Sequence, residues 1–358
     1  MNIVVWDDLP EGGAKRVVFE QIKGLSVFGR VTYITNQVQS RFDFGKYADK
    51  VYRLDMGLRS YRGWLRPLQE LSYVTKVIPA YRKAAALIDS LNPDMVLIHP
   101  SMITQAPYLL TMMAKPTIYY AHEWPRVVYE PGFHPLPAGF HGIYESVRRW
   151  QVGQLDKMAV QAAGTIVTTS TYLQKILSKL YEREISLVPP GVDTNTFCPT
   201  ERKIDHTYFL FFGGKELISG YPLLQRALAT GKSVRLVTLR NSKFRYSDEE
   251  IAELYRGAIA TLCLAENEPF GLTAIESMAC GTPVIAVNSG GYLDTVIANQ
   301  TGVLVEADSV AVLDAMNKLE SDVKLRAVMG RAGRKFAENH FSWPTHVDKL
   351  KAIMEQML

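Results

Sequence analysis

Cysteine is scarce in this sequence: its 358 residues include only Cys198, Cys263 and Cys280, and no two of them form a Cys-x-x-Cys pair. So small and odd a number excludes a disulfide-stapled scaffold and is typical of a reducing compartment. Long apolar runs are also missing, since none approaches the roughly 18–20 residues that a membrane-spanning helix needs. The start of the chain has neither a charged segment nor a long apolar one, so we expect no signal peptide and a cytoplasmic protein.

Several binding motifs are absent as well. The sequence has no Asp-x-Asp motif and no cluster with metal-ligand spacing, so we expect no metal and no other cofactor. Gly231-Lys232-Ser233 looks like the end of a phosphate-binding P-loop, but Arg226 stands where that motif needs its first glycine. The formal charge of +4 is too small for a dedicated nucleic-acid binder, so we expect no nucleic-acid partner.

Short apolar runs alternate with segments of helical periodicity along the whole chain. Strands that alternate with helices predict parallel sheets covered on both faces, and the length suits two doubly wound α/β domains. Consecutive prolines and a glycine in Val188–Asp193 mark the expected boundary between them. Helices are predicted over 74–91, 102–114 and 141–162, and strands over Ile3–Trp6, Val31–Ile34, Met95–His99, Thr117–Tyr120, Thr165–Thr168, Tyr208–Phe212, Val234–Thr238, Ala260–Leu264, Pro283–Val287 and Val303–Val305.

Positive charge is concentrated in the first half of the chain. Residues 1–185 carry 22 Lys and Arg against 16 Asp and Glu, whereas the remainder carries 18 against 20. Much of the excess comes from a basic and aromatic segment, residues 59–83, which suits either a solvated helix face or an anionic lipid surface. Both interpretations stay open.

The most informative stretch is Glu266–Ala286, which reads as strand end, glycine turn, helix, Gly-Thr-Pro and strand. Glu268 follows a strand at the edge where open α/β sheets bind their ligands. The turn through Phe270, Gly271 and Leu272 presents backbone N–H groups at a helix N-terminus, which favours anionic or oxygen-rich ligands. Glu276 is expected in the first turn of that helix, close to the same ligand. Thr273-x-x-Glu276 also fits a capping box, in which Glu276 only satisfies helix-end donors.

Glu268 and Glu276, separated by seven residues within this stretch, resemble the paired-glutamate signature of retaining glycosyltransferase family 4. The resemblance continues through Gly290–Val305, Val188–Pro199, Tyr246–Tyr255 and Phe341–Trp343. It implies the GT-B architecture: two Rossmann-like doubly wound domains facing across a cleft. It also implies that Glu268 contacts the donor sugar, that Glu276 holds the nucleotide ribose, and that the amides of Phe270, Gly271 and Leu272 bind sugar hydroxyls.

Two features of the first half acquire a meaning from the same resemblance. Gly12-Gly13, between a strand and a helix, fits a simple turn by itself, but the family has a glycine-rich loop here that faces the donor. His122 follows a strand and resembles the family's active-site histidine, which bonds the donor sugar. Arg126 is a further candidate, either as a ligand for an anionic acceptor group or as a solvated charge. His99 also ends a strand, and we interpret it as structural.

The sequence departs from the family in Phe211–Tyr221. Gly214 stands where the family has arginine and Ser219 where it has lysine, so two cations that neutralise the donor diphosphate are missing. Lys215 is the cation that remains in this stretch, and Arg240, just past the next predicted strand, is a candidate substitute. Tyr246 is a candidate to line the nucleotide base.

We therefore expect a retaining, metal-independent glycosyltransferase that moves a hexosyl unit from a nucleotide-diphosphate sugar, with UDP or GDP as nucleotide, to a glycan or lipid-linked acceptor. Cell-envelope or exopolysaccharide synthesis at the inner face of the membrane is the expected context. The expected domains are 1–190 for the acceptor and 191–340 for the donor, with helix 341–358 packing back on the first. The missing cations leave two alternatives open: a non-catalytic sugar-binding subunit, and a sugar-nucleotide epimerase or phosphorylase of the same architecture.

Overall fold

The computed structural model describes residues 1–36, 40–54, 66–102, 104–130, 132, 135–200, 206–213, 217–229, 234–239 and 246–358, without the side chains of residues 66–77, 140 and 217. The chain divides into two compact units. The first unit comprises Met1–Thr168, Gln174–Val188 and Val347–Leu358, and the second comprises Thr169–Leu173 and Pro189–His346.

The first unit contains a seven-stranded parallel sheet with the strand order β3-β2-β1-β4-β5-β6-β7. Strands β2 and β3 lie on one side of β1, and β4 to β7 lie on the other. The order in which the chain adds strands therefore reverses between β1 and β4. The strands are β1 Asn2–Asp8, β2 Arg30–Thr35, β3 Lys50–Arg53, β4 Met95–Ser101, β5 Thr117–Ala121, β6 Thr165–Thr168 and β7 Ser186–Leu187. Its helices are α1 Gly13–Leu25, α2 Arg66–Leu91, α3 Arg126–Tyr129 and α4 Phe140–Ala162, and α5 is Thr171–Tyr181.

The second unit contains a five-stranded parallel sheet with the order β12-β11-β10-β8-β9, which reverses direction between β8 and β10. Its strands are β8 Tyr208–Phe212, β9 Leu236–Leu239, β10 Ala258–Cys263, β11 Val284–Val287 and β12 Gly302–Val305. Its helices are α6 Tyr221–Leu228, α7 Asp248–Gly257, α8 Leu272–Ala279, α9 Tyr292–Thr295, α10 Ser309–Ser321 and α11 Val323–His340. The last helix of the chain, α12, is Trp343–Gln356.

The central strands of each sheet are buried on both faces, as is typical of parallel sheets covered by helices. All residues of β4 and β10 are buried, which explains why these strands read as unbroken apolar runs in the sequence. The predicted helix over 102–114 is wrong, because this segment forms only a short 3₁₀ helix, Tyr108–Met112. Gln105 before it has a φ of 55°, which the α-helix does not allow.

Two arginines on helices of the second unit hold the segment that follows Val188–Asp193. The Arg334 guanidinium donates to the carbonyls of Thr194, Phe197 and Ala279 at 2.7–3.2 Å. Arg256 donates to the carbonyls of Thr196 and Cys198. The prolines and glycine of Val188–Asp193 therefore lead into a segment that is held by arginines distant in sequence.

Candidate functional site

A cavity of about 270 Å³ lies at the carboxyl end of the five-stranded sheet. Phe212 ends β8 and Cys263 ends β10, so the cavity sits where this sheet reverses direction, the position at which doubly wound sheets bind ligands. It is lined by Phe212, Ile218, Ser219, Leu262, Cys263, Leu264, Ala265, Glu268, Gly271, Thr273 and Tyr292. Glu268 supplies the only carboxylate among these lining residues.

The loop that carries Glu268 is held by two glycines from another part of the chain. The Gly291 N–H donates to the Glu268 carbonyl at 2.6 Å. Gly290 has a φ of +66°, and a Cβ added there would lie 2.6 Å from the Glu268 nitrogen. A Cβ at Gly291 would lie 2.5 Å from the Phe270 Cα. The approach is so close that only glycine fits at both positions, and the loop can take a single course.

Gly271 turns the chain from this loop into α8. Its φ of +99° favours glycine, and a Cβ there would lie 2.9 Å from the Tyr292 ring. No side chain caps the N-terminus of α8. The first N–H groups of the helix have no acceptor within it, so they and the positive end of the helix dipole are available to a ligand that contacts Gly271.

Glu276 is buried, with 2% of its surface exposed, and its Oε2 accepts a hydrogen bond from the Tyr255 hydroxyl at 2.8 Å. The capping-box alternative is wrong, since α8 begins at Leu272 and Gly271 is its N-cap. Glu276 is therefore the fifth residue of the helix and lies in its second turn. Burial raises the pKa of Tyr255 well above its usual value, so this hydroxyl remains a proton donor to the carboxylate.

The other predicted donor-side residues have different places. Phe270 is buried with its ring 5.7 Å from that of Phe341, so its side chain packs and only its backbone takes part in the turn. Tyr246 packs against the apolar core of the second unit. Ser219, in the position of the family's lysine, lines the cavity. Lys215 and Arg240 lie outside the described residues, as does Gly214.

In the first unit, Gly12 and Gly13 connect β1 to α1. Gly12 is the N-cap of α1 and has extended backbone, so its conformation does not require glycine. No side chain caps this helix, and no acidic residue lies in its first turn. Its N-terminal amides therefore have no side-chain acceptor and are open to an oxygen-rich ligand.

His122 follows β5 directly, and it is joined to a second histidine. Its Nε2 lies 3.0 Å from the Nδ1 of His99 on β4, and the two rings stack with centroids 5.2 Å apart. Because a hydrogen bond between two imidazole nitrogens uses one proton, the tautomers of His99 and His122 are coupled when both rings are neutral: one ring donates and the other accepts. His99 thus contacts the predicted site instead of serving only the core.

Arg126 is buried, so the interpretation as a solvated charge is wrong. Its guanidinium pairs with Glu123 and Glu130 and lies 4.6 Å from the Trp124 ring. A role in binding an anionic acceptor remains a prediction, and the ligand would have to compete with these two carboxylates.

The described ranges offer neither a metal-ion site nor a membrane-spanning helix. No group of three or more His, Cys, Asp or Glu side chains in them is placed to hold a metal ion. Within the same ranges, none of the helices has the combined length and apolar character needed to cross a bilayer. Most of the basic and aromatic segment 59–83 lies outside the described side chains.

Two residues of the site were not found from the sequence in their actual role. Tyr255 precedes Glu276 by 21 residues and belongs to another helix, so no local motif links them. His99 was recognised as a strand end, and its register beside β5 was the available signal: adjacent parallel strands bring their carboxyl ends together.

Two family models match the chain. One, described as Glycosyltransferase Family 4, covers residues 11–196, more than half of the chain. The other, described as Glycosyl transferases group 1, covers residues 240–336, including the cavity loop and both glutamates.

Relatives agree with these matches. A D-inositol 3-phosphate glycosyltransferase of Xylanimonas cellulosilytica is 30% identical over 233 residues, which are 52% of this chain and 56% of that protein. The match thus spans little more than half of that relative's length. Sucrose-phosphate synthase of Thermosynechococcus elongatus has a TM-score of 0.76 at 20% identity, over 99% of this chain and 98% of that one. Anabaena Alr3699/HepE, solved with UDP and glucose, has a TM-score of 0.70 at 14% identity, over 99% of both chains. The chain belongs to glycosyltransferase family 4, and its two doubly wound units are the Rossmann-like domains of the GT-B architecture.

Proposed function

We propose that this protein is a retaining, metal-independent glycosyltransferase that moves a hexosyl unit from a nucleotide-diphosphate sugar to a glycan or lipid-linked acceptor. One observation carries the proposal: Glu268 and the uncapped N-terminus of α8 line the same cavity, at the reversal point of the second sheet. A carboxylate is a strong acceptor for sugar hydroxyls, whereas helix-end amides complement a diphosphate. The carboxylate thus complements the sugar of a nucleotide sugar, and the amides complement its diphosphate.

In this proposal each residue has a distinct task. Glu268 accepts hydrogen bonds from hydroxyls of the transferred sugar, and the α8 amides stabilise the negative charge that develops on the departing diphosphate. Glu276, oriented by Tyr255, binds the ribose hydroxyls. His122, with its tautomer coupled to that of His99, bonds the sugar from the first unit. The departing phosphate itself takes the proton of the acceptor hydroxyl, so no separate base is required.

Support for the donor class comes from the relatives. Anabaena HepE was solved with UDP, with UDP and glucose, and with UDP-glucose, which makes UDP sugars the first donors to test. GDP sugars are the second class. We further propose a cytoplasmic location with peripheral attachment to the inner face of the membrane, and a role in cell-envelope or exopolysaccharide synthesis.

The donor is tested with a thermal-shift screen against UDP, GDP, ADP and dTDP sugars. A donor at 100 times its dissociation constant should add about 2.7 kcal/mol to the free energy of unfolding. No shift with any nucleotide sugar would contradict the proposal.

The site is tested with Glu268→Gln, which keeps the shape of the side chain and removes its charge. Loss of a hydrogen bond between a charged group and the substrate at the reacting centre should reduce kcat about 100-fold or more. Glu266→Gln is the matched control, because Glu266 is exposed in the same loop and does not line the cavity. Equal activity of the two variants would show that the site is assigned wrongly.

One observation favours a second function, a non-catalytic sugar-binding subunit. Ser219 lines the cavity in place of the lysine that the family uses to neutralise the diphosphate. A nucleotide sugar that binds with neither transfer nor hydrolysis, under conditions where Ser219→Lys gains activity, would support this alternative.

A further inference from the structure

In the seven-stranded sheet, the strand order reverses between β1 and β4. The site described above assigns no role to the carboxylates at this point. Asp8 is the last residue of β1, and its register partner Ser101 is the last residue of β4. The second sheet carries its cavity at the corresponding position. Doubly wound sheets bind ligands at such points because the diverging connections leave a crevice outside the strand ends.

The carboxyl group of Asp8 is incompletely bonded, in contrast to its neighbour Asp7. Asp7 Oδ1 accepts from the Lys15 ammonium at 2.6 Å and from a backbone N–H, and its Oδ2 accepts from the Tyr33 hydroxyl at 2.6 Å. The Asp8 side chain accepts from the Ser101 hydroxyl through Oδ2 at 3.1 Å, and the Asn36 side chain lies close enough to lower the pKa of Asp8. The Asp8 Oδ1 is buried and has no donor at hydrogen-bond distance among the described residues. Only 1% of Asp8 is exposed. A buried acceptor without a donor is energetically unfavourable, so its retention points to a ligand that supplies one.

The direction of the neighbouring hydrogen bonds shows what Asp8 needs. The Tyr81 hydroxyl donates to Ser101 Oγ at 2.9 Å, and Ser101 in turn donates to Asp8. The hydroxyl hydrogen of Ser101 is thereby committed to Asp8 Oδ2. Burial raises the pKa of Asp8 to about 6, so the group is mainly a carboxylate at neutral pH, and its Oδ1 can only accept.

A second carboxylate at the same edge has the same need. Glu11 lies between β1 and Gly12, and both of its carboxylate oxygens are buried without a hydrogen-bond partner in the described part of the chain. Two carboxylates repel phosphate and carboxylate groups, whereas several hydroxyl donors on one molecule can satisfy both. The local chemistry is thus opposite to the net positive charge of this half of the sequence.

We infer that Asp8 and Glu11 form a subsite of the first unit that binds the hydroxyl groups of a neutral sugar and holds the acceptor. The inference rests on the proposed function, because only that function makes the bound sugar an acceptor. It also narrows the acceptor class: the group bound at this edge is an uncharged polyol, and a phosphorylated one is rejected.

The test compares paired ligands on the full chain: methyl glucoside and methyl mannoside, each with its 6-phosphate. With UDP-glucose, or the donor that the thermal-shift screen selects, the neutral member of each pair should have the higher kcat/KM. Asp8→Asn should reduce that kcat/KM about 10- to 100-fold, the effect of losing a hydrogen bond to a charged group. Asp94→Asn is the matched control, since Asp94 is exposed and its carboxylate bonds the Asn2 N–H at the opposite end of the same strand.

Saturation-transfer NMR of the same four ligands, with the wild-type chain and Asp8→Asn, separates this inference from the proposed function. Neutral glycosides that bind to the wild type and bind more weakly to Asp8→Asn support the subsite even if no sugar is transferred. Tighter binding of the phosphorylated members, or binding unchanged by Asp8→Asn, would overturn it. If Asp8→Asn loses its near-ultraviolet circular dichroism, Glu11→Gln and Ser101→Ala take its place, and unchanged binding in both would likewise overturn the subsite.

Discussion

Tyr255 and Glu276 show, at the scale of single residues, how a buried carboxylate is held in one orientation in the second unit. The tyrosine is fully buried, and its hydroxyl points at Oε2 of the glutamate. Because burial holds the pKa of Tyr255 well above its usual value, the hydrogen bond does not depend on pH in the physiological range. The glutamate is thereby oriented before any ligand arrives.

Tyr255→Phe should weaken nucleotide-sugar binding about 10-fold, because Glu276, the carboxylate that we propose to bind the ribose, loses its orienting donor. The free energy of unfolding should fall by about 1–3 kcal/mol as well, since a buried acceptor loses a partner. Calorimetric titration and urea denaturation measure the two effects.

Tyr208→Phe is the control for this change. It also removes a tyrosine hydroxyl from the second unit. That hydroxyl donates to the Leu254 carbonyl at 2.7 Å, and neither residue lines the cavity. A similar loss of affinity in both variants would mean that Tyr255 acts only through stability.

The positions of some residues of the candidate site could be predicted from the sequence, and those of others could not. Glu268 and Gly271 were predictable because strand, turn and helix follow one another within a short stretch, so local pattern fixes their places. Tyr255, His99 and Asp8 were not assigned their roles, because each acts through a partner on another element. Only the register of the sheets and the packing of α7 on α8 bring those partners together.

At the scale of elements, the cavity loop between β10 and α8 depends on the segment that follows β11. Gly290 and Gly291 press against the backbone of Glu268 and Phe270, and the Gly291 N–H bonds the Glu268 carbonyl. The loop that presents the carboxylate is therefore clamped between two elements of the same sheet edge.

Gly291→Ala should reduce transfer about 10-fold or more and destabilise the second unit by about 1–3 kcal/mol, the usual cost of overpacking. The added methyl group would lie 2.5 Å from the Phe270 Cα, and backbone cannot move aside as a flexible side chain would. Steady-state kinetics and denaturation measure the two losses.

Gly45→Ala is the control for that substitution, because the only atom within 4 Å of its added Cβ is a side-chain oxygen at 3.4 Å. Equal activity and stability of Gly291→Ala and Gly45→Ala would show that the loop can move away from the added methyl group. Close packing by Gly291 would then not fix the position of the loop.

Elements were predictable where burial makes the pattern unambiguous. The apolar runs of β1, β4 and β10 were recognised, whereas β3 and β7 were missed. Lys50–Arg53 is an exposed edge strand of mixed polarity, and Ser186–Leu187 has two residues, too few for any periodicity. Each forms by pairing with one neighbouring strand: β3 with β2, and β7 with β6.

At the scale of the whole molecule, one buried carboxylate joins three separate segments of the first unit. Asp156 on α4 accepts from the Ala106 N–H at 3.0 Å and from the Tyr181 hydroxyl at 2.6 Å. Burial raises the pKa of Asp156 to about 7, from an ordinary value of 3.8. The folded chain thus holds this proton more tightly than the unfolded chain does.

The stability of the wild type should consequently fall as pH rises from about 4 to about 7, by up to about 1.4 kcal/mol per pH unit from this group. Asp8, with its pKa raised to about 6, adds a contribution of the same sign. Asp156→Asn should flatten the slope, and urea denaturation across this pH range measures it. Asp89→Asn, on the exposed surface of α2, should leave the slope unchanged, and a slope unaltered in Asp156→Asn would contradict the assignment.

The GT-B architecture was predictable from the alternation of strands and helices together with the paired-glutamate stretch. For the last helix, the sequence predicts that 341–358 packs back on the first domain; Val347–Leu358 belongs to the first unit, and Phe341 and Trp343 belong to the second. Val347, Leu350 and Met354 are buried, and the Lys351 ammonium lies 4.4 Å from the Phe28 ring centroid. Helical periodicity predicts such a buried face without naming what covers it.

This discontinuity has a consequence for synthesis on the ribosome. The first unit is translated first, yet α1 packs against Val347, so closely that a Cβ on Gly24 would lie 2.3 Å from it. The apolar surface that Leu350 and Met354 cover must wait, unburied, while the entire second unit is translated. The nascent first unit is thus an incomplete fold with an exposed apolar surface until Val347–Leu358 has been translated.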